Sequence, residues 1–429
     1  SYSLTQAADE KAAEQRRAAV GKCQSPAGTL LYREAADGPW RALGPQDAVH
    51  SRDLLVALPG TRAVVQSGDG AVGLVLAGNL PELSASPVLE SSVVLHANPA
   101  VALDFTLRAG RVIVTNQRDK GPARVRLRAL DQVWELNLAE PGASVGLELY
   151  GRWPRGVPFN PDPKAPERPT TALVLLVLKG NVDLRTGTQQ HALTAPPGPA
   201  YFHWDSVGGL DPGPSRLESL PAWAAAAGKP SAEAKGVQQV VDDICKRVKE
   251  KPAPEVLADL LAADDRGSDQ ARARLTRRMA VFGLAALDDL PRLTDALADP
   301  KRSDVRQTAI EALRHWIGKA AGNDAVLYRF LIEQRKYTPG QAATVLHLLH
   351  SFSNEELTRP ETYEALLAYL RHERLPIREL ARWHLERLVP GSSRIAYDAA
   401  SPPEQREKGI EEWRKVVQEY LKKPRSKPE

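Results

Sequence analysis

Two cysteines in 429 residues, Cys23 and Cys245, are too few for a disulfide framework or for a zinc site built from cysteine. No run of about 18 apolar residues occurs, so no segment of this sequence reads as a bilayer-spanning helix. Charge of one sign is not in excess either. The 57 basic and 53 acidic side chains leave a net charge of +4, which gives no case for nucleic acid as a partner. A coherent catalytic signature is also missing, so function has to be read from organisation.

The length implies two or three domains. Residues 1–27 read as a solvated lead-in helix, because "AADEKAAEQRRAA" from Ala7 to Ala19 favours helix without an apolar stripe. Residues 28–207 alternate in short apolar runs punctuated by Gly and Pro, which predicts an all-β module, sandwich or solenoid-like. A Pro-rich insertion at 152–170 and a linker at 208–234 read as extended, poorly packed chain. Residues 235–423 change to helical periodicity, and 424–429 form a charged tail.

Two readings can be tested in register. Centring the hairpin "ARVRLRALDQVWELNL" between Asp131 and Gln132 sets Val125 opposite Leu138, Leu127 opposite Leu136 and Ala129 opposite Trp134, with Arg126 facing Asn137 and Arg128 facing Glu135. In the helical part, Val305, Ala309, Ala312, Leu313, Trp316 and Ile317 share one face, with Asp304 as N-cap. Ile377, Leu380, Ala381, Leu385, Leu388 and Val389 form a second such face, stopped by Pro390-Gly391. The two phrases align at an offset of 72 residues, so a unit near 36 is expected between them, and "AATVLHLLHSF" from Ala342 fills it. The phrase Val305-Arg306 with Ala309 and Leu313, repeated as Ile377-Arg378 with Ala381 and Leu385, resembles the second helix of HEAT repeats, which implies an α-solenoid.

The β half carries its own repetition. "LRAGRVIV" (Leu107 to Val114) and "VLKGNVDL" (Val177 to Leu184) share the form (Leu/Val)-x-x-Gly-x-Val-x-(Val/Leu), with Gly opening an alternating strand. In this order, after "WRALGPQDAVHSRDLLVALPGTRAVVQ", the pattern resembles the FecR type of bacterial domain over Thr29 to Ser206. The resemblance implies a non-enzymatic module outside the cytoplasmic membrane, in periplasm or envelope. It also implies an N-terminal membrane anchor absent from this chain and a sensing or relaying role toward protein partners. It implies further that Gly110 and Gly180 open equivalent strands. The Pro-rich insertion and the helical half depart from the family pattern, so the founding members' role in iron-uptake signalling does not carry over.

Candidate sites are few. "GDGAVG" (Gly68 to Gly73) matches a dinucleotide fingerprint, but an apolar strand follows where a helix N-terminus is needed, so it reads as a hairpin turn. "YFHWDS" reads as a strand with His203 and Asp205 on one side and Trp204 on the other, a candidate binding patch rather than a triad. Arg124, Arg126 and Arg128 share a polar face that could meet a polyanion. His347 and His350 are one helical turn apart but lack a third ligand, and His384 takes an apolar-face position, so no metal is expected. Trp383 is the candidate in the helical half, where a groove could take a partner.

These features predict a scaffold or regulator that binds proteins, through the helical half or the β module, or an envelope polymer, with no cofactor and no catalytic residue. The alternatives are a cytoplasmic helical-repeat adaptor, and a hydrolase using His203 and Asp205 or the histidines of the helical half.

Overall fold

The computed structural model describes residues 17–35, 37–84, 86–161, 168–221, 223–224, 232–262 and 269–422. Residues 1–16 of the predicted lead-in helix lie outside them, and within 17–27 the structure has no helix but a strand, Ala19–Cys23. The charged tail is also outside. The chain divides into two compact units, residues 1–150 with 171–287, and residues 151–170 with 288–429.

In the first unit two sheets enclose one apolar core. One sheet pairs β4 (Ala48–His50), β1 (Ala19–Cys23), β6 (Arg62–Ser67), β7 (Val72–Ala77), the second half of β9 (Leu103–Asn116) and β12 (Ser144–Arg152). The same sheet contains β13 (Thr170–Lys179), β16 (Pro199–Asp205), β17 (Gly209–Leu210) and β18 (Ser215–Arg216). The other runs β3 (Arg41–Ala42), β2 (Leu31–Arg33), β5 (Leu54–Ala57), β8 (Ser91–His96), the first half of β9, β10 (Ala123–Ala129), β11 (Gln132–Leu138), β14 (Asn181–Thr186) and β15 (Gln189–Thr194). Pairing is antiparallel except between β9 and β10. Alternation sends one face of each strand inward, and Trp134 of one sheet meets Phe202 of the other edge-on at 5.6 Å.

The two repeated glycines are corners where the chain passes between sheets. Gly110 (φ +92°) sits inside the continuous strand β9, which leaves β8 and β10 on one sheet for β7 and β12 on the other. A side chain there would collide with the Glu90 carbonyl, while the Arg111 amide donates to Ser91 Oγ at 2.8 Å. Gly180 (φ +75°) joins β13 to β14 and crosses in the opposite sense. They serve the same steric purpose, a left-handed residue at a bend. They do not open equivalent strands, so the repeated phrase no longer speaks for the family resemblance.

The β10–β11 hairpin has its faces as expected but its register two residues away. Val125 pairs with Leu136, Leu127 with Trp134 and Arg126 with Glu135. The reason is a tight turn at Leu130-Asp131, with Leu130 at φ +54°, as mirror-image hairpin turns require. "GDGAVG" is the β6–β7 turn, held by Asp69 Oδ1, which accepts from Ser67 Oγ and the Ala71 amide.

The segment at 208–234 is not a plain linker. Its first residues form β17 and β18, and Trp223 lies 4.1 Å from the Arg111 guanidinium and against Gly146. Three helices complete the unit: α1 (Ala232–Arg247), α2 (Ala253–Ala262) and α3 (Gln270–Ala286). They pack on the β part, where Gly60 faces Val241 and Met279, Gly28 faces the Cys245 carbonyl, and Arg278 pairs with Glu82 at 2.7 Å. The domain boundary expected near residue 235 therefore falls instead after Leu287.

The second unit holds α4 (Leu290–Leu297), α5 (Ser303–Lys319), α6 (Asn323–Glu333), α7 (Pro339–His350), α8 (Pro360–Tyr369), α9 (Leu375–Leu388) and α10 (Pro403–Lys422). Helices α4 and α5, α6 and α7, and α8 and α9 pair. The second members begin at Ser303, Pro339 and Leu375, each 36 residues after the last. Asp304 is not the N-cap; Arg302 is, and Asp304 lies in the first turn, where its charge meets the positive end of the helix. Helices α5 and α9 also touch directly, through Arg306, fully buried and ion-paired to Glu379 at 2.7 Å. A one-dimensional stack limits each repeat to its neighbours, so this contact between the first and third pairs is a departure from one.

Candidate functional site

The patch expected on β16 is largely committed to the fold. Trp204 points into the core, paired through its strand with Leu173. Asp205 Oδ1 accepts the amides of Val207 (2.7 Å) and Gly208 (2.6 Å), and these bonds hold its carboxyl below the usual range. His203 remains half-buried between Asp211 (3.6 Å) and Asp205 (3.9 Å), beside the Tyr201 ring. That arrangement offers a histidine between two carboxylates without a nucleophile.

The arginine ladder is an ion-pair network. Arg128 makes a two-pronged contact with buried Asp104 at 2.9 Å, Arg126 reaches Glu135 at 3.1 Å, and Arg185 closes on the same carboxylate. Only Arg124 of the three faces an open surface, with Arg118 and Asn137. The polyanion face expected from sequence is thus mostly neutralised by its neighbours.

The helical-unit histidines are structural. His384 is buried, and its ring bonds to the Leu348 carbonyl at 2.7 Å, with burial pushing its pKa down to about 3. His347 meets Phe352 edge-on, and among the described residues no group of His, Cys, Asp and Glu could hold a metal ion. A cleft of about 360 Å³ between Leu297, Leu331, Val345 and Pro376 carries Arg335 and Arg374, but both are occupied, by Asp295 (2.8 Å) and by the Lys336 carbonyl (2.7 Å).

What sequence reasoning missed is a bound segment. The Pro-rich stretch was expected to be poorly packed, yet Trp153 to Asn160 lies along α5, α6 and α7, with a turn at Arg155-Gly156. Trp153 donates its indole N–H to the Ile317 carbonyl at 3.0 Å and stacks on His350 at 4.3 Å. The His350 Nδ1–H donates to the Val157 carbonyl at 3.2 Å, and Phe159 meets both Tyr328 and His350. Gly156 (φ +80°) presses on Ser353, where any side chain would clash. Two aromatics spaced between prolines were the available signal, since a solvated linker has no use for them.

Trp383, the remaining candidate, is flanked by two cations. The Arg387 guanidinium is 3.9 Å from its ring centre and that of Arg314 is 5.1 Å away. Comparison with protein-family models, with curated proteins and with solved structures finds no match for this chain.

Proposed function

We propose that this protein is a non-enzymatic binding scaffold or regulator whose helical unit recognises polypeptide. The observation that supports the reading is the segment Trp153–Asn160. Two aromatic anchors, a hydrogen bond from the Trp153 indole, another to the Val157 carbonyl and a glycine with no room for a side chain are the features by which a groove reads a peptide. An enzyme reading would need a nucleophile and base within reach; His384 and His350 instead bond to backbone carbonyls, and His203 lies between Asp205 and Asp211.

In this proposal the β part is a sandwich of FecR type and the helical unit is HEAT-like, with α5, α7 and α9 as recurring second helices. The protein acts outside the cytoplasmic membrane. That location rests on the order of phrases from Trp40 to Gln66, not on the repeated glycines. Protease treatment of intact spheroplasts expressing the whole gene tests it: digestion without lysis is expected, and protection until lysis would contradict the location. A chain stripped of its own anchors, Trp153→Ala with Phe159→Ala, should take up the peptide of residues 153–161 added in trans.

A further inference from the structure

A strand at the margin of a sheet carries a row of backbone groups with no partner in that sheet, and proteins keep such rows short, charged or broken by proline. At three margins this one keeps them short: β3, β17 and β18 are two residues long and β4 is three. Strand β15 is different. Gln189–Thr194 runs for six residues, contains no lysine, arginine, aspartate, glutamate or proline, and among the described residues pairs only with β14, in unbroken register.

The phase of the ladder decides which groups are left over. In an antiparallel pair alternate residues exchange both backbone bonds with the residue opposite, and those between them point both groups away. The Ala195 amide donates to the Gly180 carbonyl at 3.0 Å, and the Ala139 amide to the Asn181 carbonyl at 3.1 Å. These bonds set Gln189, His191 and Leu193 as the residues bonded to β14, opposite Thr186, Leu184 and Val182. Gln190, Ala192 and Thr194 therefore turn their amides and carbonyls to the free margin, and among the described residues these groups meet no partner.

We infer that β15 pairs antiparallel with β15 of a second copy of this chain, about a two-fold axis at Ala192. The three outward residues are self-complementary around that axis. Gln190 comes opposite Thr194 on both sides, Ala192 comes opposite Ala192, and each pair can exchange two backbone bonds. No charged side chain of the strand opposes its like, so nothing on either copy repels the other. A foreign strand would use the same backbone groups, but it would be chosen by pockets for its side chains, and Gln190 and Ala192 stand exposed with none between them. One pair of six-residue strands is small beside the roughly 1,600 Å² of a standard interface, so the dimer is weak, with a dissociation constant on the order of 100 μM. This margin belongs to the first unit and owes nothing to the groove of the second.

Sedimentation equilibrium of the full chain, from about 5 to about 500 μM, tests the inference, and a monomer–dimer equilibrium is expected. Ala192→Pro removes the central N–H donor, which bonds nothing within its own sheet, and should weaken dimerisation about 10-fold or more. Ala192→Lys places like charges across the axis and should weaken it several-fold, with the loss reduced at high salt. Because Ala192 is exposed and its backbone groups are free, both variants should keep the circular dichroism and melting temperature of the parent. A chain that stays monomeric up to about 500 μM, or a dimer whose affinity neither variant changes, would overturn the inference.

Discussion

His384 and Gly110 show how far single residues can be read. The sequence marks His384 as a core histidine, because it replaces an alanine on an apolar helical face. The structure supplies the Leu348 carbonyl that holds the ring in place, while burial keeps it neutral. For His350 and His384 the folded pKa values, about 4 and about 3, lie below the unfolded value of 6.5. As pH falls below 6.5 the unfolded chain takes up protons that the folded chain refuses, so stability declines from about pH 6.5 to about pH 4. The loss is roughly 3 kcal/mol or more. Asp324, 3.5 Å from His350 Nε2, has its own carboxyl pushed up by burial, and Arg314 and His347 oppose a proton on either ring. Imidazole NMR resonances should show His384 untitrated down to pH 4.5; a midpoint near 6.5 would contradict its burial as neutral ring. At Gly110 the expectation is steric. Gly110→Ala should lower the urea midpoint by the equivalent of roughly 3 kcal/mol, against about 1 for Gly187→Ala, which shares positive φ but has open space around it.

Among elements, periodicity was legible and partnership was not. The faces of β10, β11, α5 and α9 follow directly from apolar spacing. The hairpin register did not follow, because it depends on a leucine accepting left-handed backbone at Leu130, which no propensity predicts. The same limit hid the docked segment, since Trp153 bonds to a carbonyl 164 residues away. Trp153→Ala should destabilise the helical unit by roughly 2 to 4 kcal/mol through the lost stack and bond, measured by thermal unfolding. Between α5 and α9, Glu379→Gln removes the charge facing Arg306 in a fully buried pair, and a loss of roughly 3 kcal/mol is expected. A change within about 0.5 kcal/mol would place that pair among contacts that add nothing to stability.

At the scale of the molecule, two compact units are drawn from interleaved stretches of chain: a run of 20 residues inserted between two strands belongs with the helices, and three helices belong with the sheets. Sequence composition located the change from strand to helix correctly but could not locate this exchange, because a boundary is set by contacts and not by period. The exchange is also what gives the helical unit a polypeptide to hold. Calorimetric titration of the Trp153→Ala, Phe159→Ala chain with the peptide WPRGVPFNP, residues 153–161, tests that claim most directly. The account predicts one site per chain with a dissociation constant on the order of 10 to 100 μM, and no uptake by the parent chain or of a peptide lacking both aromatics. Absence of binding to a double variant that keeps its helical circular dichroism, or equal binding of the peptide without aromatics, would contradict it.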